Sequence, residues 1–307
     1  SIAGAMPRPP AQRFTFPALA VGVLAASTAS ILIRVADAPA LALAFWRCAL
    51  GALALAPFGV RAWRANGPLL PAARRQLGLS GVLLAGHFAC FVTALSLTTV
   101  ASTAVLVTMA PLFVGLGAAR FLGEPPSRRT WAGIALATGG AAIVGLADLG
   151  NADLGGRALL GDGLAFAGAA LVAGYLLIGR LARQRLPVSL YAGVVYGVAA
   201  GVLLVACLLT GAELSDYDRT TWLAIAGLVV GPQLLGHTVF NTVLSTVSAT
   251  VVAVVVLAEP VASTTLAYFL LAETPSPLFW AGGPLILAGV WLTATEGRRA
   301  LPDPVAP

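Results

Sequence analysis

Apolar residues along this chain form long, nearly uninterrupted runs, separated by short segments rich in Arg, Asp, Pro and Gly. A run of about 20 apolar residues is long enough to cross the hydrocarbon core of a bilayer as a helix. Because lipid offers the backbone no hydrogen-bond partners, each run is expected to be helical. The pattern predicts an all-α membrane protein with ten transmembrane helices, at residues 16–34, 40–60, 77–97, 100–121, 129–147, 160–181, 188–210, 221–243, 247–270 and 277–295.

Composition supports the membrane assignment and excludes several functions. Of the 307 residues, 59% are hydrophobic and 10% are charged, whereas a soluble domain carries about 25% charged residues. The basic residues are all Arg, so a Walker lysine and a lysine Schiff base are excluded. The net charge of +6 comes from scattered arginines rather than a basic face, which argues against a nucleic-acid partner. No cofactor and no metal site are expected.

The arginines also predict how the chain is oriented. Cytoplasmic loops of membrane proteins carry an excess of Lys and Arg. With a cytoplasmic N-terminus, most arginines fall in predicted inner segments, and the outer loops are mainly acidic, with Arg34, Arg157 and Arg219 as exceptions. We therefore expect a multi-pass protein of the inner (plasma) membrane with both termini in the cytoplasm. The inner arginines are Arg8, Arg13, Arg61, Arg64, Arg74, Arg75, Arg120, Arg128, Arg129, Arg180, Arg183, Arg185, Arg298 and Arg299.

The chain contains an internal repeat. The stretch from Pro111 through Leu122-Gly-Glu124 to Trp131 recurs 149 residues later, from Pro260 through Leu271-Ala-Glu273 to Trp280. Gly22 to Arg34 likewise resembles Gly168 to Arg180. Each repeat holds five predicted spans, and because five is odd, the second repeat must enter the membrane inverted. The predicted organisation is a disordered tail at 1–13, a first repeat at 14–150, a second, inverted repeat at 151–297 and a C-terminal tail at 298–307.

Several of these motifs resemble a known family. They are the Phe45-Trp46-Arg47 cluster in the second span, the stretch from Pro111 to Glu124, and its counterpart from Glu259 to Glu273. In this order and spacing they resemble the drug/metabolite transporter superfamily, specifically its EamA-type members, with the amino-acid exporters as a candidate subgroup. The resemblance implies ten helices, a central cavity between two halves, and export of small metabolites.

Ionisable residues inside the spans are the main candidates for function, because a charge near the bilayer centre costs at least about 2.5 kcal/mol. Arg47 could bind a substrate carboxylate, or it could extend to the interface. Glu259 could carry a proton, bind an ammonium group or neutralise Arg47. His87 could carry a proton, although a lone membrane histidine more often bonds a neighbouring helix.

Other residues complete the predicted site. Gln233, His237 and Asn241 form a polar stripe on one face of the eighth span, which should point away from lipid. Aromatic residues could contact a bound amino acid, and Tyr191, Tyr196 and Tyr268 are further candidates of this kind. Pro111 and Pro260 should loosen the fourth and ninth spans and allow gating. The predicted cavity residues are Trp46, Arg47, His87, Phe88, Tyr175, Gln233, His237, Asn241 and Glu259.

The predicted function is secondary transport of small metabolites, with amino acids favoured, by alternating access through a central cavity. The chain has no ATPase motif, so energy must come from a solute or ion gradient. The expected partners are a small-molecule substrate and the lipid bilayer, and a homodimer is left open. The alternatives are an intramembrane enzyme using Glu259 with a histidine, a receptor or scaffold, and a carrier of drugs or other metabolites. Glu124 and Glu273 are interpreted as loop residues, with Ser127 and Ser276 as helix N-caps.

Overall fold

The computed structural model describes residues 14–98, 100–145 and 156–299, and within these ranges it contains helices and no strand. Fourteen α-helices follow one another, and two π-helical segments lie among them. The predicted tail at 1–13, the boundary between the predicted repeats at 150/151 and most of the predicted C-terminal tail fall outside the described residues. We call α1–α7 (14–145) the first half and α8–α14 (156–299) the second half.

The helices have the following bounds. The first half contains α1 (Thr15–Ser27), α2 (Ala29–Val35), α3 (Ala40–Asn66), α4 (Pro71–Leu97), α5 (Val100–Val107), α6 (Ala110–Gly117), the π segment Ala118–Leu122 and α7 (Arg128–Gly145). The second half contains α8 (Gly156–Arg183), α9 (Val188–Thr210), α10 (Arg219–Leu228), the π segment Val229–His237, α11 (Thr238–Val243), α12 (Ala249–Val256), α13 (Glu259–Leu271) and α14 (Pro277–Arg299).

Nine stretches in the described part of the chain are long and apolar enough to cross a membrane. They correspond to nine of the predicted spans, and several helices extend further than predicted. The third predicted span begins at Pro71 instead of residue 77, because helical turns that carry Arg74 and Arg75 can continue into water. The remaining predicted span, 129–147, is helix α7, which is not among the nine. The count of ten spans therefore stays a prediction.

Four spans are interrupted. The fourth breaks at Thr108–Met109 and the ninth at Leu257–Ala258, and in each case a proline is the second residue of the next helix. Proline cannot donate the backbone hydrogen bond that would continue the preceding turn. The first span breaks at Thr28 without a proline. There the Thr28 hydroxyl donates to the carbonyl oxygen of Ala25 at 2.7 Å, a contact that competes with the helical backbone bond.

The eighth span widens into the π segment Val229–His237, which includes Pro232. Such insertions interrupt the regular helical ladder and occur often at functional sites.

Corresponding helices of the two halves pack against each other in antiparallel fashion. Helices α7 and α14 touch through glycines: a Cβ on Gly133 would lie 2.8 Å from the Gly289 carbonyl oxygen, and one on Gly140 would lie 2.6 Å from that of Gly282. Rising numbers on α7 thus meet falling numbers on α14. Small residues at such positions let two membrane helices approach closely, so that their backbones are in contact.

The contacts of the other helices follow the repeat. Helix α4 packs along α8, and α1 packs along the segment Val229–His237. Exchanging the two halves converts the first of these pairs into the second. Helices α3 and α9, which are also equivalent, pack against each other at Gly59, whose Cβ would lie 3.2 Å from the Ser189 carbonyl oxygen.

Candidate functional site

The side chain of Arg47 lies inside the helix bundle, two turns after α3 begins, and is 8% exposed. Its Nε donates to Oε1 of Gln233 at 2.9 Å. The ring of Phe88, on α4, lies 4.6 Å from the guanidinium carbon. Together the amide and the ring orient the guanidinium, and within the described residues its Nη atoms have no hydrogen-bond partner.

Gln233 is fully buried in the π segment of the eighth span. Gly51 on α3 provides the room for it, because a Cβ there would lie 2.8 Å from Cγ of Gln233. The Nε2 atom of Gln233 is buried without a hydrogen-bond partner among the described residues. The contact between Gln233 and Arg47 is made through the amide oxygen.

A hydrogen-bond network continues from Gln233 along the eighth span. The Thr238 hydroxyl donates to the Gln233 carbonyl oxygen at 3.1 Å and lies 3.1 Å from the Tyr196 hydroxyl. Asn241 donates from Nδ2 to the Tyr196 hydroxyl at 3.3 Å and accepts from the Tyr175 hydroxyl at 2.8 Å. These bonds join the sixth, seventh and eighth spans around buried polar groups, whose hydrogen bonds are stronger in a dry interior.

Two histidines flank Phe88. Nδ1 of His87 lies 2.9 Å from the carbonyl oxygen of Gly168 on α8, and because a carbonyl only accepts, Nδ1 carries the proton. His237 meets the Phe88 ring edge to face, with 5.7 Å between ring centroids. His87 thus bonds a neighbouring helix, which was the alternative to proton transfer in the sequence analysis.

Glu259 is the first residue of α13 and follows the break in the ninth span. Its side chain is half-buried in the bundle. Glu259 and Arg47 form no ion pair, since the ion pairs of the described chain involve other residues. The backbone carbonyl oxygen of Glu259 accepts from the Ser27 hydroxyl of the first span at 3.3 Å.

The structure thus brings together most of the residues that the sequence nominated. We refer to Arg47, His87, Phe88, Tyr175, Tyr196, Gln233, His237, Thr238, Asn241 and Glu259 as the central cluster. Sequence reasoning missed Thr238 and did not include Tyr196 among the main site residues. A Tyr or Thr in a membrane span can have many structural roles, so neither residue type by itself indicates a functional site. Pro232, inside a span next to Gln233, was the available sign of the π segment.

Trp46 does not join the central cluster, although it precedes Arg47. Its indole nitrogen donates to the Leu214 carbonyl oxygen at 3.0 Å, and its ring lies 5.2 Å from that of Trp222. Adjacent helical residues point about 100° apart, so one faces the bundle centre and the other faces α10. Pro111 and Pro260 lie in the first turns of α6 and α13, next to the breaks rather than in the cluster.

Two grooves lie on the outer surface of the described structure. One runs between α6 and α8 past Phe113 and Arg120, and the other runs between α3 and α9 past Leu53 and Trp63. Neither groove is lined by a residue of the central cluster. Within the central cluster Arg47, Gln233 and Asn241 are buried, whereas His87, His237 and Glu259 are half-buried.

Comparisons with known proteins agree with this architecture. The model of the EamA-like transporter family matches residues 15–146 and again residues 159–295. No curated protein matches the chain significantly. A solved crystal structure that is 21% identical in sequence has the same fold, with a TM-score of 0.78 over 94% of this chain and 98% of the other.

The two family matches cover nearly all of the described chain and coincide with the two halves that pack against each other. A membrane transporter of the drug/metabolite type, with two repeats, accounts for the apolar spans, the repeat and the polar centre. The chain belongs to the EamA-like transporter family.

Proposed function

We propose that this protein is a secondary transporter that exports small zwitterionic metabolites, amino acids above all, across the inner membrane by alternating access. The observation that carries the proposal is that an arginine and a glutamate lie inside the bundle without forming an ion pair. Arg47 comes from the first half and Glu259 from the second, and the two form no ion pair.

An ionised side chain inside the bundle is costly unless it is paired, and Arg47 and Glu259 do not pair with each other. A solute with a carboxylate and an ammonium group can compensate both at once. Its carboxylate would take the Nη edge of Arg47, because Gln233 already occupies Nε. Its ammonium group would approach Glu259. The amino-acid exporter subgroup is therefore part of the proposal.

The packing of the halves supports alternating access. Equivalent helices pack antiparallel, as at the α7–α14 glycines, which is the arrangement expected of inverted repeats. Two inverted halves can exchange conformations, so that the central cluster becomes accessible first from one side of the membrane and then from the other. The breaks in the ninth and first spans, beside Glu259 and Ser27, lie where such a movement would bend the chain.

The proposal includes the finer features predicted from sequence: ten spans, cytoplasmic termini and repeats at 14–150 and 151–297. The energy would come from the gradient of the solute or of an ion, because the chain has no Walker lysine. A homodimer is compatible with this function and is not required by it.

The test is counterflow of labelled amino acids into proteoliposomes. Wild type should accumulate the label unchanged, and Arg47→Ala and Glu259→Gln should each lower the initial rate roughly tenfold or more, because each removes a charged contact. Arg61→Ala, on the exposed end of α3, and Glu213→Gln, in an exposed loop, are matched controls that should transport normally. Normal rates in both cluster variants contradict the assigned roles. A chemically altered label would indicate an enzyme, and saturable binding without flux would indicate a receptor.

A further inference from the structure

Two ion pairs form in the described parts of the chain, and each joins one half to the other. Arg180, near the end of α8, pairs with Glu124, which follows the fourth span, at 2.8 Å between Nη2 and Oε1. Its Nε also donates to the same oxygen at 2.9 Å, and its Nη1 donates to the Leu244 carbonyl oxygen at 2.7 Å. This arginine therefore ties a loop of the first half to two spans of the second half.

The other pair has the reverse arrangement. Arg34, in the last turn of α2, pairs with Glu273, which follows the ninth span, at 2.5 Å between Nη1 and Oε1. Here the arginine belongs to the first half and the carboxylate to the second.

The two pairs are equivalent positions of the internal repeat. Arg34 and Arg180 end the matching segments that begin at Gly22 and Gly168, and Glu124 and Glu273 occupy the matching loops. The local backbone is also the same. Glu124 N–H bonds the Ala118 carbonyl oxygen at 3.1 Å, and Glu273 N–H bonds that of Ala267 at 3.4 Å. Each glutamate follows a left-handed residue, Gly123 with φ 66° and Ala272 with φ 55°.

The pairs lie at opposite ends of the bundle. Arg180 contacts Leu244, close to Thr246, whose hydroxyl lies 3.4 Å from that of Thr15 at the start of the first span. Arg34 is at the far end of the same span, which runs over 21 residues. At 1.5 Å per residue the two ends are about 30 Å apart, the thickness of a bilayer core.

We propose that these ion pairs are two latches, each of which closes one end of the bundle and breaks when that end opens to the central cluster. If the loop after the fourth span moves away from α8, Glu124 separates from Arg180. If the loop after the ninth span moves away from α2, Glu273 separates from Arg34. Because the two pairs are equivalent positions of the repeat, opening either end of the bundle breaks the same kind of contact, an Arg–Glu ion pair.

The two latches differ in strength. The side chains of Arg180 and Glu124 are 15% and 27% exposed, whereas those of Arg34 and Glu273 are 57% and 49% exposed. An ion pair in water contributes little, because solvent screens it. The arginine of the partly buried pair makes additional hydrogen bonds. The end at Arg34 therefore opens more readily than the end at Arg180, and the resting protein favours opening there.

Distances between spin labels in nanodiscs test the latches without any need for a substrate. The labels are placed on exposed residues beside each latch, one pair at Pro125 and Gln184 and one pair at Val35 and Thr274. The background replaces the native cysteines Cys48, Cys90 and Cys207 with Ala. Glu124→Gln should increase the wide population of the first label pair on the order of tenfold relative to the narrow one, and should not widen the second pair.

Glu273→Gln and Arg34→Gln should each widen the second label pair, by less, and the double variant should widen it no further, since both remove one interaction. Glu296→Gln is the matched control: this glutamate accepts from Thr130 at 3.0 Å across the α7–α14 contact and is in neither of the two ion pairs of the described residues, so neither distance should change. The latch proposal is overturned if Glu124→Gln changes neither distance or widens both label pairs. It can fail in this way while solute transport stays intact, so the two proposals are tested separately.

Discussion

Gln233 binds Arg47 by the Nε edge of the guanidinium, with 2.9 Å between Nε and Oε1. An arginine can meet a carboxylate along the edge formed by Nε and one Nη, or along the edge formed by both Nη atoms. With Nε occupied and Phe88 against the guanidinium face, only the second edge is free for a solute. Gln233 contacts Arg47 through a neutral amide, which leaves the positive charge of the guanidinium free to bind a solute carboxylate.

We predict that Gln233→Glu separates stability from transport. The new carboxylate would pair with Arg47, which should preserve or raise the melting temperature and lower amino-acid counterflow roughly tenfold or more. Gln233→Met, which fills a similar volume without an acceptor, should lower the melting temperature and leave the cation free. Measuring both quantities on both variants checks this, and wild-type counterflow in Gln233→Glu would refute it.

A second prediction concerns the contact between α7 and α14. Gly140→Ala places a Cβ 2.6 Å from the Gly282 carbonyl oxygen, so the helices must separate, at a cost of about 1–3 kcal/mol. Gly139→Ala is the matched control, since a Cβ there meets nothing within 4 Å. It should leave stability unchanged or raise it by about 0.5–1 kcal/mol, as alanine favours helix. Thermal unfolding in detergent compares the two, and equal melting temperatures would be inconsistent with this close packing.

The loops after the fourth and ninth spans allow a reciprocal experiment. Both helices end on a left-handed residue, which is Gly123 in one case and Ala272 in the other. A side chain in this conformation costs roughly 1–2 kcal/mol. Ala272→Gly should therefore raise the melting temperature and Gly123→Ala should lower it. Both residues are exposed, so packing contributes little to either change. If both substitutions act in the same direction, backbone strain is not the cause.

The Tyr175–Asn241 hydrogen bond makes a further prediction. Tyr175→Phe removes the hydroxyl that donates to Asn241 Oδ1 and leaves that buried acceptor without its 2.8 Å partner. An orphaned buried acceptor costs about 1–3 kcal/mol. Tyr268→Phe, in a tyrosine that is 47% exposed, should change stability little. Unfolding of the two variants in detergent gives the comparison, and a neutral Tyr175→Phe would indicate that Asn241 is satisfied in another way.

The spans could be predicted from the sequence because lipid imposes both their length and their helical form. The interruptions before Pro111 and Pro260 were also predictable, since proline removes a backbone donor at a known position. The break at Thr28 was not predictable, because a threonine in a span more often bonds its own turn without ending the helix. The same holds for the ends of α3 and α4, which continue past the arginines that the sequence assigned to loops.

The candidate site was only partly predictable. Charged residues are rare in apolar runs, which identifies Arg47 and Glu259 as candidates. Whether the two side chains form an ion pair could not be predicted from the sequence. The sequence assigned both Trp46 and Arg47 to the cavity, but the orientation of α3 directs Trp46 toward Trp222 instead. The pairing of Glu124 with Arg180 depends on where the sixth span ends relative to the fourth, which is a property of the packed bundle.

The most direct test of the account is the side of the membrane from which two equivalent loops can be labelled. Pro125→Cys and Thr274→Cys occupy the same exposed position in the two repeats, in the background without native cysteines. In right-side-out vesicles an impermeant maleimide should label Thr274→Cys at once and Pro125→Cys only after permeabilisation. In inside-out vesicles the order should reverse. Labelling of both positions from the same side would contradict the inverted halves and, with them, the alternating transporter.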